Sequence, residues 1–384
     1  VTGAPSFISR RIKSGGALVT VLVALSFFIV IIAFCVAGGF RKEVYSGMHA
    51  LYGDILLAPA GFDYPGGTEP VRVDSSLVSS ILQLRGVRQM RPFVSRGGIV
   101  RKDGNIHGVI VKGVEDSGME ALHACIPGRL ARLMGLSAGE RMTVWFVGDD
   151  VKARNFTVDS MYEPLASTDE NLTVLVPLAD MQRLCGWGRD SVSAFEVMIA
   201  DETPSRMQLS EMSAAVGMEA LCADEPMFAS SVPERWPQIF DWLDLVDSNV
   251  LVVLLLMMLV AGFNMVSAML ILMFRNISTI GMLKTMGMTD RGMSAVFLRL
   301  ASVLALKGMI AGDAAALLFL ALQKHFHLIR LNPQNYYVSS VPVSLDPALP
   351  LLSNIAVYAA VMLFTLLPCL FISRVDPART VRLD

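Results

Sequence analysis

The chain has 384 residues, of which 53% are hydrophobic and only 17% charged, and its mean hydropathy is +0.54. A disordered chain is never this apolar, and an ordinary water-soluble enzyme has nowhere to bury the excess. The net charge of −2 conceals a division: Gly38 to Ser248 holds 19 Lys and Arg against 29 Asp and Glu, whereas the rest holds 13 against 5. An acidic, polar block thus sits between basic, apolar ends, and no basic patch suited to nucleic acid is present.

A bilayer core needs about 20 apolar residues in a helix that closes its own backbone hydrogen bonds. Ala17 to Ala37, Val250 to Phe274 and Ala348 to Ser373 are uncharged runs of that length. A fourth, Leu300 to Leu322, is long enough but contains Lys307 and Asp313. The first run is long for a signal-peptide core, although Val36-Ala37-Gly38-Gly39 offers small residues at its end.

Lys and Arg in short connections mark the cytoplasmic side. Arg10, Arg11 and Lys13 precede span one; Arg275, Lys284 and Arg291 lie between spans two and three; Arg374, Arg379 and Arg382 follow span four. This predicts a multi-pass membrane protein with both ends of the chain cytoplasmic and the large block on the far side. The predicted organisation is a cytoplasmic segment 1–16, span one at 17–37, an extracytoplasmic domain at 38–229 and a stalk helix at 230–249. Span two at 250–274, a cytoplasmic coupling segment at 275–294 and span three at 295–322 follow. An extracytoplasmic loop at 323–347, span four at 348–373 and a cytoplasmic tail at 374–384 complete it.

Within the outer block, Asp54 to Ala58, Gly108 to Lys112 and Arg141 to Phe146 read as strands, and Lys102-Asp103-Gly104-Asn105 as a hairpin turn. Ser75 to Leu84 places Leu77, Val78, Ile81 and Leu84 on one helical face, with Asp74 as its N-cap. Gly128 to Met134 and Leu178 to Leu184 also read as helices. The expected class is therefore a four-span α-helical membrane protein with an α+β outer domain, in two lobes that divide near Cys125. Cys125, Cys185 and Cys222 fall outside the spans, where an oxidising compartment permits one disulfide, but none has CxxC or metal-ligand spacing.

No catalytic constellation stands out: HExxH and GxSxG are missing, and pairs such as Asp149-Asp150 and Asp169-Glu170 adjoin turn residues. No metal site is expected. Ser230 to Asp247, with Trp236, Phe240, Trp242 and Leu243, suits an amphipathic stalk leading without a break into span two. The segment Ile277 to Met288 is too polar to extend a span and too apolar for a free loop. Ile277, Ile280, Leu283 and Lys284 share one helical face, which predicts a short surface helix with an exposed apolar side. In the spans, Asn264 and Ser267 suit helix packing, Met257 and Met265 belong to a flexible Met-rich face that ordinary span packing also explains, and Lys307 and Asp313 are functional candidates by their cost in lipid.

The run Ile280-Gly281-Met282-Leu283-Lys284-Thr285-Met286-Gly287-Met288, following Gly262-Phe263-Asn264-Met265-Val266-Ser267, resembles the FtsX-domain signature of ABC transporter permeases of the MacB type. Asn332 to Val343 and the ending Ser373-Arg374-Val375-Asp376-Pro377-Ala378 resemble most closely the lipoprotein-releasing (LolC/LolE-type) permeases. The resemblance extends over essentially the whole chain, with two departures. Phe274-Arg275-Asn276 stands where such permeases often carry an acidic residue, and Gly312-Asp313 where Gly-Asn is common.

The resemblance implies a MacB-like periplasmic domain and a coupling helix, at Ile277, Ile280, Gly281, Leu283, Lys284 and Gly287, that docks on a dimer of cytoplasmic ABC ATPase subunits. It implies mechanotransmission through the stalk at Trp236, Phe240 and Trp242, and a lipid cavity or packing surface at Met257, Gly262, Asn264, Met265 and Ser267. The chain lacks GxxxxGK[ST], so ATP and Mg would be bound by the partner, with no cofactor in this chain and no enzymatic activity of its own. A second permease chain, identical or paralogous, would complete a cavity open to membrane lipid. Lipoprotein cargo would leave it for a periplasmic carrier, with Tyr162 to Asn171 as a candidate docking loop. Two other readings fit the same architecture: an FtsX-like mechanotransmitter that regulates cell-wall hydrolases without transport, and a MacB-like efflux component.

Overall fold

A computed structural model describes residues 17–63, 69–115, 118–146, 151–162, 172–201, 203–223, 225–331, 338, 340–344 and 348–372. The chain divides into two compact units. One comprises the spans, and the other runs from Arg41 to Trp242 together with Leu331 to Ser339.

The outer unit is built on strands β1 (Ile55–Ala58), β3 (Val87–Lys102), β4 (Asn105–Val114), β5 (His123–Pro127), β6 (Arg141–Phe146), β7 (Lys152–Tyr162), β8 (Thr173–Pro177), β10 (Ala194–Ile199) and β11 (Phe228–Ser231). They form one nine-stranded sheet in the order β11-β1-β10-β3-β4-β8-β5-β7-β6, while β2 (Val71–Arg72) and β9 (Ser191–Val192) pair separately. A further pairing of β3 with β6, from Ile99↔Trp145 to Arg101↔Thr143, closes six of the nine strands into a ring. The β3–β4 hairpin turns where the sequence signals it, with Asp103 at φ 49° and Gly104 at φ 88° as a two-residue turn demands.

Helix α2 (Ser75–Gln83) starts at Asp74, whose carboxylate accepts the Ser76 N–H at 2.8 Å, and it buries Leu77 and Ile81. Helices α3 (Gly128–Met134) and α4 (Leu178–Cys185) each end on a left-handed glycine, Gly135 and Gly186. Helix α5 (Arg206–Leu221) opens with a full capping box between Ser205 and Gln208. The core gathers Ile55, Leu57, Val94, Val111, Val174, Phe195 and Val216 from the sheet and α5. Both faces of β1 and β10 are buried, and β1 is apolar throughout while β10 is apolar but for Glu196.

Three expectations about this region are corrected. A division into lobes near Cys125 does not occur there: Cys125 lies inside β5, pairs with Ser160 and Leu175, and is part of the closed ring. The outer unit starts at Arg41, three residues past the expected boundary and inside α1 (Ala17–Tyr52), which continues as one helix of 36 residues. Phe40, Val44, Tyr45, Met48 and Tyr52 recur at helical spacing and are all buried, so the apolar stripe carries the helix past the charges of Arg41-Lys42-Glu43. The stalk does not begin at Ser230. Ser230 and Ser231 belong to β11, a short α6 (Val232–Arg235) follows, and α7 (Pro237–Arg275) starts after a break at Trp236. Pro237 has no N–H to continue α6 and disfavours helical backbone at the residue before it, which makes it a starting residue instead.

In the membrane unit, α1, α7, α9 (Asp290–Phe326) and α10 (Ala348–Ile372) are long and apolar enough to cross a bilayer, and α8 (Ile277–Thr285) links α7 to α9. Val23, Phe27, Met265, Met269, Phe297, Ala301, Val357 and Val361 form their shared core. All five cysteines are free.

Candidate functional site

The C-terminal end of α1 is held by a set of polar contacts within the outer unit. A helix leaves its last carbonyls without partners, and the aligned peptide dipoles favour cations there. Three cations supply both needs: Arg91 Nη2 donates to Ala50 O at 3.5 Å, Lys112 Nζ to Leu51 O at 2.5 Å and Arg235 Nη2 to Tyr52 O at 3.1 Å. Gly53, at φ 64°, returns its N–H to His49 O and ends the helix.

Lys112 also pairs with Glu196 at 2.5 Å, and both side chains are 2% exposed. Burial pushes the Lys112 ammonium below its usual pKa, and the Glu196 carboxylate works against that shift. Arg91 reaches the same carboxylate at 3.6 Å, and the Phe93 ring lies 4.9 Å from Nζ.

Asp54, wholly buried, is the second centre. Its carboxylate accepts from the Tyr45 hydroxyl, from the Ile199 N–H at 2.6 Å, and lies 2.7 Å from His49 Nδ1. Its backbone N–H donates to Val197 O, while its carbonyl accepts the Val232 N–H. Strand β10, the end of α1 and the start of α6 are therefore fixed to one residue. Trp236 packs on Tyr52 with ring centroids 5.3 Å apart, and Arg206 pairs with Asp241 at 2.7 Å. Of the expected stalk residues, Trp236 and Phe240 thus face the protein, with Ile239 beside them, and Trp242 is half-buried.

Sequence reasoning missed Lys112, Glu196, Asp54 and Arg235. The available signal was a lysine in Val109-Ile110-Val111-Lys112 and a glutamate in Ala194-Phe195-Glu196-Val197, opposite charges inside two otherwise apolar strands.

On the other unit, α8 packs opposite to expectation. Ile280 and Gly281 are buried, Leu283 leans on the span core, and the Lys284 ammonium reaches Asp290 at 2.9 Å. The predicted exposed apolar face of Ile277, Ile280, Leu283 and Lys284 is thus turned inward, since Met293 and Phe297 of α9 supply a closer apolar surface than solvent. Met282 and Met286, 61% and 78% exposed, form the outward side instead. Asn276, the last residue of the Phe274-Arg275-Asn276 run, ends α7 by donating from Nδ2 to Leu272 O at 2.7 Å.

Gly287 closes α8 at φ 90°. Its N–H meets Lys284 O, the next N–H meets Leu283 O, and Thr289 then caps α9. A Cβ at Gly287 would touch nothing, so Gly287→Ala tests backbone strain alone. We expect it to cost about 1–2 kcal/mol, measured as a lower unfolding midpoint of the purified protein.

Span packing rests on close backbone approaches. A Cβ at Gly312 would lie 2.4 Å from Ala24 O, one at Gly308 2.8 Å from Val23 Cγ1, and one at Gly262 2.6 Å from the Phe364 ring. Gly308 and Gly312 make a small-xxx-small ridge of α9 against α1. Met265 is buried in the shared core with Met269 and Met273, Met257 and Asn264 are half-buried, and Ser267 is exposed. Lys307 points outward from α9, whereas Asp313 accepts a hydrogen bond from Asn354 of α10. The candidate carrier-docking loop, from 163 to 171, lies outside the described residues.

Residues 251–377, from α7 to beyond α10, match the family model described as FtsX-like permease C-terminal. The C-terminal third of the chain thus carries an FtsX-like permease domain, and the four helices long and apolar enough to cross a membrane accompany it, as the sequence resemblance implied. Along 94% of its length, and 92% of theirs, it is 21% identical to the lipoprotein-releasing system transmembrane protein LolC of Xylella fastidiosa (strain 9a5c) and to that of Neisseria meningitidis serogroup B. Among solved structures, the periplasmic region of MacB from Actinobacillus actinomycetemcomitans aligns with a TM-score of 0.32 at 13% identity, over 48% of this chain and 91% of that one. The extracellular domain of the ABC-type transporter YknZ from Gram-positive bacteria gives 0.31 at 11%, over 46% and 98%.

Proposed function

We propose that this chain is the inner-membrane subunit of an ABC complex that releases lipoproteins from the membrane and passes them to a periplasmic carrier. The observation that carries the reading is the similarity to lipoprotein-releasing transmembrane proteins through spans and outer domain alike, rather than through the FtsX-like region alone. Withdrawing acyl chains from lipid costs about 0.8 kcal/mol per CH₂, so the work needs an energy source and a receiving apolar pocket. ATP hydrolysis in a partner ATPase dimer would supply the first and the carrier the second.

In this mechanism α8 is the contact with the ATPase, through Met282 and Met286 rather than through the inward Ile280 and Leu283. The α8–α9 elbow at Gly287 passes the displacement to the spans. The helices α1 and α7, each continuous from the apolar run into the outer unit, carry it to the cation cap and to Asp54. A second permease chain would face the outward side of α7, where Val252, Leu256, Leu259 and Phe263 are exposed. Acyl chains would enter between the two.

The pair Met282→Asp and Met286→Asp is expected to lower the ATPase retained in a mild-detergent pull-down by more than tenfold, about 1.4 kcal/mol or more, with the permease itself still monodisperse. Unchanged retention would sink the docking assignment. Leu283→Asp, by contrast, should damage the bundle. For cargo, proteoliposomes holding the complex and an acylated lipoprotein are expected to release it only with ATP and a soluble carrier. ATP-dependent activation of a cell-wall hydrolase with no release would replace this reading with the mechanotransmitter.

A further inference from the structure

Asp313 is the one acidic residue inside the four apolar runs, and its contacts are incomplete in a particular way. Asn354 Nδ2 donates to Asp313 Oδ2 at 2.7 Å. The two remaining oxygens of the pair, Asp313 Oδ1 and Asn354 Oδ1, are shut off from solvent and have no hydrogen-bond donor. Asn354 is only 8% exposed. An ionised carboxylate and an amide oxygen are both acceptors, so an Asp–Asn pair with the acid ionised cannot satisfy both atoms, and exchanging the amide O and N leaves the same deficit.

A single proton on Asp313 Oδ1 removes it. The acid then donates to Asn354 Oδ1 while the amide donates to Asp313 Oδ2, closing a reciprocal ring of two hydrogen bonds. No counter-ion competes with this solution, for among the described residues Asp313 has no ion pair. The other titratable groups within the apolar runs are Lys307, exposed and six residues away on α9, Cys35 of α1, and Tyr358 and Cys369 of α10. Tyr358 is already engaged with Ser302 at 2.8 Å, and α7 contributes none from Val250 to Phe274. Asp313 itself is half-buried, but its Oδ1 is closed off, and a carboxylate oxygen enclosed with neither cation nor donor is relieved most cheaply by neutralisation.

We propose that Asp313 is held protonated and that Asp313 and Asn354 form a proton-binding pair joining spans three and four. The pair takes one proton from water and gives none to another reactant. Because Gly312 abuts Ala24 and Phe27 of α1, three spans meet beside it. A neutral polar latch at that place can open and close without moving a net charge through lipid.

Infrared spectra of the full-length protein in lipid at neutral pH, wild type minus Asp313→Asn, test the proposal directly. A carboxylic-acid carbonyl band missing from the variant, and lost from wild type only as the pH is raised, is expected. Carboxylate bands in its place would overturn the proposal. Thermal unfolding supplies a second readout. Asp313→Asn can reproduce the two-bond ring with an amide and is expected to keep the wild-type midpoint, whereas Asp313→Leu and Asn354→Leu each strand a buried polar group and lower it by several degrees. Asp313→Asn as damaging as Asp313→Leu would likewise count against a neutral acid.

Discussion

Replacing Lys112 with Met is expected to destabilise the outer unit by about 3–5 kcal/mol, because it leaves Glu196 buried with its closest cation removed. Arg91, at 3.6 Å, keeps part of the charge balanced, but Leu51 O loses its donor at the same time. Unfolding of the full-length protein in detergent, followed by denaturant or heat, reads the effect. The double variant Lys112→Met with Glu196→Met should recover much of the loss, since two apolar groups of similar length need neither desolvation nor pairing. A single variant within about 1 kcal/mol of wild type would mean that the pair is less isolated from water than its 2% exposure indicates. The double variant is the more informative one for function. It restores packing without the cation on Leu51 O, so a stable but inactive protein would place the role of Lys112 in holding the end of α1.

Gly312→Leu is expected to have a comparable effect in the membrane unit. The nearest atom to its Cβ is the Ala24 carbonyl oxygen at 2.4 Å, a backbone atom that no rotamer change can move, with Phe27 Cβ at 3.0 Å. Overpacking costs about 1–3 kcal/mol where side chains can give way, and more is expected where α1 must shift as a helix. The measurement is the yield of monodisperse protein and its unfolding midpoint, against Leu318→Ala on the exposed side of α9 as a control. Gly308→Ala should be milder, since its neighbour is the side chain of Val23. A Gly312→Leu protein as stable as the control would show that α1 and α9 are not in close contact in the bilayer.

Much of this architecture was legible from local pattern. The apolar runs, the hairpin at Asp103-Gly104, the Asp74 cap and helix α3 depend on residues within a turn or two of one another, and for such features chain order and spatial order coincide. The coupling helix was legible as an element but not as an oriented one. Ile280 and Met282 are both apolar, and which of them turns to the protein was decided by the position of α9, through Met293 and Phe297, not by anything in Ile277 to Thr285. Likewise the end of α1 was hidden, since Arg41-Lys42-Glu43 reads as a boundary until Val44, Tyr45, Met48 and Tyr52 find buried partners.

The sequence by itself determined that four helices are long and apolar enough to cross a bilayer, that an acidic α+β domain lies between the first two, and that a short helix links the second to the third. These follow from hydrophobic length and charge placement, quantities that add along the chain. Only the tertiary structure decided what holds the helices. The cations on α1 come from positions 91, 112 and 235, the strands around Asp54 from 197, 199 and 232, and the partner of Asp313 from 354. Such pairings join residues far apart in the chain, and a buried charge or a missing Cβ acquires its meaning only from the atom that the fold sets against it.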